Sequence, residues 1–326
     1  MIVRRLRLVW AAVAAAALGL AVTAGASAAG GKLTLVAYST PAEAYKALIP
    51  AFQKTPAGRG WTFSQSYGAS GDQSRAVEQG LGADVVEFSL EPDITRLVRA
   101  GLVNPEWNQV KYHGFVTRSI VVFAVRKGNP KHIRTWDDLV KPGVEVITPN
   151  AITSGGARWN ILAAYGAQRK LGKSDQQAQD YLRELYKHVS VQDKSARESL
   201  QTFASGKGDV LLAYENEAIF AQKQGEKIDY VVPKQTILIE NPAAVVQTSK
   251  NRKEAQAFLS FLYTPQAQTI FGQNGYRPVV PSVLARFKRY ARPAGLFTIS
   301  QFGGWDLANK VFFDPTSGIV AKVQRS

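Results

Sequence analysis

Short apolar runs alternate with longer stretches of helical spacing along most of the chain. Residues 33–38 (LTLVAY) form a continuous apolar run of strand length, and 43–54 follow with apolar positions three and four apart, Pro41 standing near the predicted first turn. Residues 62–67 predict the next strand, 70–80 (SGDQSRAVEQG) a helix opened by a serine, and 83–89 (ADVVEFS) a third strand. A further apolar run at 120–126 (IVVFAVR) ends in Lys127-Gly128-Asn129-Pro130, a strong turn signal. Beyond it, 136–140 open a new unit. Strands are expected at 145–148, 189–193 and 210–214, with helices at 155–171 and 195–205 between them. Residues 230–232 and 243–246 are short strand candidates, and helices are expected at 252–263 and 265–274.

Strands that alternate with helices predict an α/β architecture with parallel sheets. The turn after residue 126 is a natural exit from one lobe into another. The division that follows is 29–122 for the first part of lobe I, 123–243 for lobe II, and 244–326 for a return to lobe I with the C-terminal helices. A lobe that is left and re-entered needs two crossing strands, so a two-strand hinge with a cleft between α/β lobes is expected. At 326 residues and 45% hydrophobic positions, the chain is long and apolar enough to fill two cores.

The candidate chemistry lies where predicted strands run into predicted helices. In ITPNAITSGGARW (147–159), Thr153-Ser154-Gly155-Gly156 sits where a helix begins. The first N–H groups of a helix lack partners within it, and the macrodipole is positive there, so oxyanions bind at such starts. Glycines let an anion approach the backbone, and Ser154 adds a hydroxyl. An ordinary serine cap with turn glycines gives the same pattern. The same grammar recurs at Tyr67-Gly68-Ala69-Ser70-Gly71, at Tyr38-Ser39-Thr40-Pro41 and around Ser195-Ala196-Arg197. Open α/β sheets place ligands at the carboxyl ends of their strands, which gives four such junctions weight together.

Catalytic signatures are missing. Gly68-Ala69-Ser70-Gly71-Asp72 fails the nucleophile-elbow pattern at its last position, and neither a phosphate-binding loop with its lysine nor GxGxxG is present. A secreted hydrolase using Ser70 or Ser154 is the rival of a different class, and it lacks a paired histidine or lysine base. The only histidines are His113, His132 and His188, and there is no cysteine, so a metal centre or thiol chemistry has little to draw on. No cofactor is expected.

The N-terminus bears on the compartment. Arg4, Arg5 and Arg7 precede an apolar run at 8–22, and Ala26-Ser27-Ala28 offers the small residues of a cleavage site, so 1–28 read as a removed export signal. The run is shorter than the roughly 20 residues that span a bilayer. Absence of cysteine also excludes a lipid-anchored lipoprotein. The formal net charge is +15, and loss of the three arginines in 1–28 leaves +12. Such a charge suits nucleic acid, an acidic surface or small anions. Export and the lack of any nucleic-acid motif turn it away from nucleic acid.

Several longer stretches resemble one family. TSGGARWN, LYKHVSVQDKSAR and GDVLLAYENEA, with SYGASGDQSRAVEQGLGADVV, VRKGNPKHIRTWDDLVKPGVEVITPN, YRPVVP (276–281) and LFTISQFGGWDLA, are similar to the periplasmic sulfate/thiosulfate-binding proteins of bacterial ABC importers. The resemblance runs through nearly all of the chain after residue 28. It implies a type II periplasmic binding fold that closes on a dehydrated oxyanion and delivers it to a membrane permease, acting in the periplasm as a monomer. Carried over residue by residue, it implies a backbone N–H at Ser39, where the family usually has Asp, and a contribution from Ser70. It further implies a hydroxyl and backbone amides from Ser154, Gly155 and Gly156, and an amide from Ala196. At Tyr214 the family has a Trp indole. A phenol both donates and accepts, so that corner differs. Asp72 stands where the family has a basic or neutral residue, and a carboxylate facing the anion would repel sulfate or accept a proton from hydrogen phosphate. Arg158 and Arg197 are candidates for supporting charge. Phosphate, molybdate and other tetrahedral anions remain alternative ligands.

Overall fold

The computed structural model describes residues 30–290 and 292–325, and the export signal expected at 1–28 lies outside them. Leu33, Leu35, Val36, Ala37 and Tyr38 are all buried in β1 (Lys32–Tyr38), as a strand covered on both faces requires. The chain continues through α1 (Ala42–Gln53), β2 (Thr62–Gly68), α2 (Ser70–Glu78), β3 (Val85–Glu87) and α3 (Glu91–Arg99). Helix α3 escaped the sequence reading because its apolar stripe is only Ile94 and Leu97 on an otherwise charged segment. β1 runs parallel to β2 and β3, with Tyr38 opposite Gly68 and Ala37 opposite Glu87. The carboxyl ends of the three strands therefore share one edge, and the helices that follow all start there.

The second lobe repeats this plan with β4 (Phe115–Arg126), β5 (Val146–Ile147), α4 (Gly155–Lys170), α5 (Asp175–Lys187), β6 (Val189–Val191), α6 (Ala196–Ala204), β7 (Val210–Tyr214), α7 (Glu215–Lys223), β8 (Ile228–Val231) and β9 (Gln235–Val245). β4 pairs with β9 from Phe115 to Ile120 and with β7 and β8 from Val121 to Arg126. β9 runs back from a pairing at Gln235–Ile237 to one with β3 at Ala243–Val245. The strand order is β2-β1-β3-β9-β4 in the first lobe and β6-β5-β7-β4-β8 in the second, so each sheet is completed by a strand arriving from the other lobe. Both crossing strands are longer than the apolar runs suggested. Their polar residues pair across the crossing: Thr117 Oγ1 donates to Asn241 Oδ1 at 3.1 Å, and Arg118 Nε to Glu240 at 3.0 Å.

The remaining elements are α8 (Arg252–Leu262), α9 (Pro265–Gln273), β10 (Arg277–Pro278), α10 (Pro281–Leu284), β11 (Gly295–Phe297), α11 (Trp305–Phe312) and α12 (Ile319–Val323). Phe258, Phe261 and Phe271 of α8 and α9 join Leu35, Tyr45 and Phe52 in the first-lobe core. The tail from β11 onward does not. Phe297, Trp305, Phe312 and Ile319 pack into the second-lobe core with Trp159 and Tyr165, at ring separations of 4.7 Å for Trp159–Trp305 and 4.9 Å for Tyr165–Phe312. This corrects the expectation that 244–326 return as a whole to lobe I: the aromatic residues of the tail cover the exposed side of α4 and α5, and β11 pairs with β9.

Candidate functional site

Most of the predicted positions stand at helix starts. Ser70 is the first residue of α2, Gly155 and Gly156 are the first two of α4, Ala196 is the first of α6, and Tyr214 immediately precedes α7. Ser39 lies in the turn between β1 and α1 and is half-buried. Such starts leave N–H groups without intrahelical partners and are the positive ends of their helices. The α7 start was not anticipated, because β7 passes into it with no spacer that would signal a cap.

The helix starts meet. A methyl group placed on Gly156 would stand 3.0 Å from Tyr214 Cε2 and 3.3 Å from Ala196 Cβ, and one on Gly155 would stand 2.4 Å from Ser89 Oγ. Only glycine allows α4 to approach both α6 and the β3–α3 turn of the other lobe so closely. Ser154 is buried and its hydroxyl does not cap α4, whereas Ser195 Oγ caps α6 by accepting from the Glu198 N–H at 3.2 Å. Ser70 differs: its Oγ donates to Asp93 at 2.6 Å and accepts from the Ser89 N–H at 2.9 Å, which leaves its main-chain N–H as the group it has to offer.

Tyr214 is 2% exposed, and its ring lies 6.2 Å from that of Tyr38. Its hydroxyl is 2.6 Å from Ser89 Oγ. Burial raises its pKa well above the ordinary range, so the phenol keeps its proton. Ser89, which no sequence signal picked out, ends a run predicted as strand. It occupies a fifth strand-to-helix junction, between β3 and α3.

Several bonds cross from one lobe to the other and hold the cleft shut. The Gly71 N–H donates to Thr153 O at 3.0 Å, Trp159 Nε1 to Ser89 O at 3.0 Å, and Arg197 Nη2 to Thr40 O at 3.2 Å. Asp72 is engaged by two cations. It pairs with Arg75 in its own helix and with Lys194 of the second lobe at 3.5 Å, so its charge is neutralised at the rim. Arg197 makes two 2.8 Å bonds to Glu217, and Arg158 donates to Ala151 O at 3.1 Å and Asn309 at 3.0 Å. Both arginines are held by protein groups. Glu87, buried beneath Tyr38, accepts from the Tyr45 hydroxyl, and burial pushes its carboxyl up to about 8.

Chemically, the helix starts that meet here carry neutral donors, Gly156 beside Tyr214 and Ala196 and Gly155 beside Ser89. Neither Ser70 nor Ser154 is bonded to a histidine or lysine that would make it a nucleophile. Among the described residues, no group of three His, Asp or Glu is placed to hold a metal ion. A separate concavity of about 770 Å³, between Trp107, Leu259 and Tyr263, includes none of the helix-start residues named here.

Two α/β lobes linked by paired crossing strands, with helix starts from both converging between them, define a solute-binding protein of type II periplasmic architecture. Residues 33–277 match the family described as bacterial extracellular solute-binding protein, and the chain belongs to that family. It is 44% identical over 308 residues to a sulfate-binding protein of Synechococcus elongatus, covering 90% of this chain and 87% of that one. A thiosulfate-binding protein of Pseudomonas aeruginosa is 36% identical over 302 residues, covering 89% and 91%. Among solved structures, the sulfate-binding protein SubI from Mycobacterium tuberculosis H37Rv superposes with a TM-score of 0.85 at 48% identity, covering 87% of this chain and 99% of that one.

Proposed function

We propose that this protein captures sulfate or thiosulfate outside the cytoplasm and hands it to the membrane permease of an ABC importer. The observation that supports the reading is the position of Ser70, Ser154, Gly155, Gly156, Ala196 and Tyr214 at the starts of helices from both lobes. Sulfate at neutral pH carries no proton and needs only donors. Backbone N–H groups and hydroxyls meet it, and the helix dipoles stabilise its charge without a contacting cation. Ser39 is assigned a further N–H from the β1–α1 turn.

Selectivity follows from the same inventory. The P–OH of hydrogen phosphate meets main-chain N–H groups that cannot accept, with only the Ser154 and Tyr214 hydroxyls able to do so, and where it is left unpaired the cost is about 1 to 3 kcal/mol, or roughly one to two decades in affinity. Ligand contacts in both lobes favour the closed form, which presents the permease with a shape the open form lacks. The residues expected as an export signal at 1–28 accord with action in the periplasm.

A thermal-shift panel of sulfate, thiosulfate, molybdate and phosphate on the mature protein tests the reading. A ligand bound only by the native state raises the unfolding temperature by mass action. Sulfate or thiosulfate is expected to give the largest rise. A larger rise with molybdate or phosphate would reassign the ligand, and no rise with any of the four would overturn the proposal.

A further inference from the structure

The site contains one polar pair that no helix start explains. Ser89 Oγ and the Tyr214 hydroxyl lie 2.6 Å apart, the first from the β3–α3 turn of lobe I and the second from the β7–α7 junction of lobe II. The Ser89 main chain is fixed by three bonds: its N–H donates to Ser70 Oγ at 2.9 Å, and its carbonyl accepts from Trp159 Nε1 at 3.0 Å and Asn241 Nδ2 at 3.2 Å. Its hydroxyl therefore has a set position, against the first turn of α4. A methyl on Gly155 would meet Ser89 Oγ at 2.4 Å, and one on Gly156 would meet the Tyr214 hydroxyl at 3.3 Å.

Two hydroxyls carry two protons, and their mutual bond uses one. When Ser89 donates to the phenol oxygen, the phenolic proton is freed to point into the cleft. The buried phenol is the more acidic of the two hydroxyls and so the stronger donor to an anion. Donation through a chain of hydroxyls also polarises each successive bond. We propose that Ser89 is a positioning residue of the anion site, its hydroxyl turning the Tyr214 phenol toward the ligand and doing so only when the two lobes are together. This inference rests on the oxyanion reading above. It makes the Ser89–Tyr214 pair a link between closure and ligand contact, since neither residue reaches the other across an open cleft.

The test is a double-mutant cycle on the mature protein, with sulfate affinity measured by calorimetry and release by stopped flow. Ser89→Ala and Tyr214→Phe are each expected to weaken sulfate about tenfold, mainly through faster release. The double variant is expected to be no weaker than Tyr214→Phe alone. Ligand-free unfolding temperatures report that each variant folds, and Ser89→Gly, which also removes the hydroxyl, replaces Ser89→Ala if the latter does not. Unchanged affinity in the Ser89 variant, or a Ser89 loss that persists in full without the phenol, would overturn the inference. Absence of wild-type binding to sulfate, thiosulfate and other oxyanions would instead overturn the reading on which it rests.

Discussion

Replacing Gly155 with alanine isolates the closed cleft from the rest of the fold. The added methyl would lie 2.4 Å from Ser89 Oγ, 2.6 Å from Ser89 Cβ and 2.8 Å from Leu90 Cγ, whereas ordinary contact begins at 3.4 Å. Relief requires α4 and the β3–α3 turn to part by about 1 Å, and overpacking of this kind costs about 1 to 3 kcal/mol. Those two segments belong to different lobes, so the cost falls on closure. Gly155 does not hold a left-handed backbone conformation, and alanine is a better helix former than glycine, so the ligand-free fold gains nothing from keeping the glycine. At about 1.4 kcal/mol per tenfold, sulfate affinity is expected to drop roughly 10- to 100-fold by calorimetry. The unfolding temperature of the ligand-free variant should stay within about 3 °C of wild type. Undiminished sulfate affinity in a folded Gly155→Ala protein would refute the placement of this turn against the anion.

Two other outcomes follow from charge. Burial lifts Glu87 to about 8, above the range of an exposed glutamate, so the native chain keeps a proton that the unfolded chain has lost. Stability should therefore fall as pH rises from about 4.5 to 8, and Glu87→Gln should flatten that slope in thermal unfolding; an unaltered slope would contradict the buried acid. Asp72→Asn removes a partly exposed pairing with Arg75 and Lys194, and such pairs contribute about 1 kcal/mol or less. Sulfate affinity should change less than about fivefold and the preference over phosphate should hold, whereas a lost preference would mean that the carboxylate faces the anion.

What the sequence made legible depended on how locally each feature is encoded. Ser154-Gly155-Gly156 is legible as a helix start at a strand-to-helix junction, although an ordinary serine cap gives the same pattern. Ser70 and Ala196 are readable in the same way. Ser89 is silent, since its importance comes from Tyr214, 125 positions along the chain, and from a turn that looks like the end of a strand. The role of Asp72 was undecidable from composition, because its neutralising partner Lys194 lies on the other lobe. The first half of β4 was hidden by Thr117, Arg118 and Ser119. These read as polar surface until the crossing strand supplies Asn241 and Glu240 as partners for Thr117 and Arg118. The tail misled for a related reason: its aromatic residues specify burial but not against which lobe.

The central claim is that the starts of α2, α4, α6 and α7 together cradle a tetrahedral dianion. A crystal structure of the mature protein with sulfate measures this directly. Anion oxygens are expected at about 2.7 to 3.2 Å from the main-chain nitrogens of Ser70, Gly155, Gly156 and Ala196 and from the hydroxyls of Ser154 and Tyr214. Sulfate bound elsewhere, or held in the cleft by arginine or lysine side chains in place of these groups, would contradict the account.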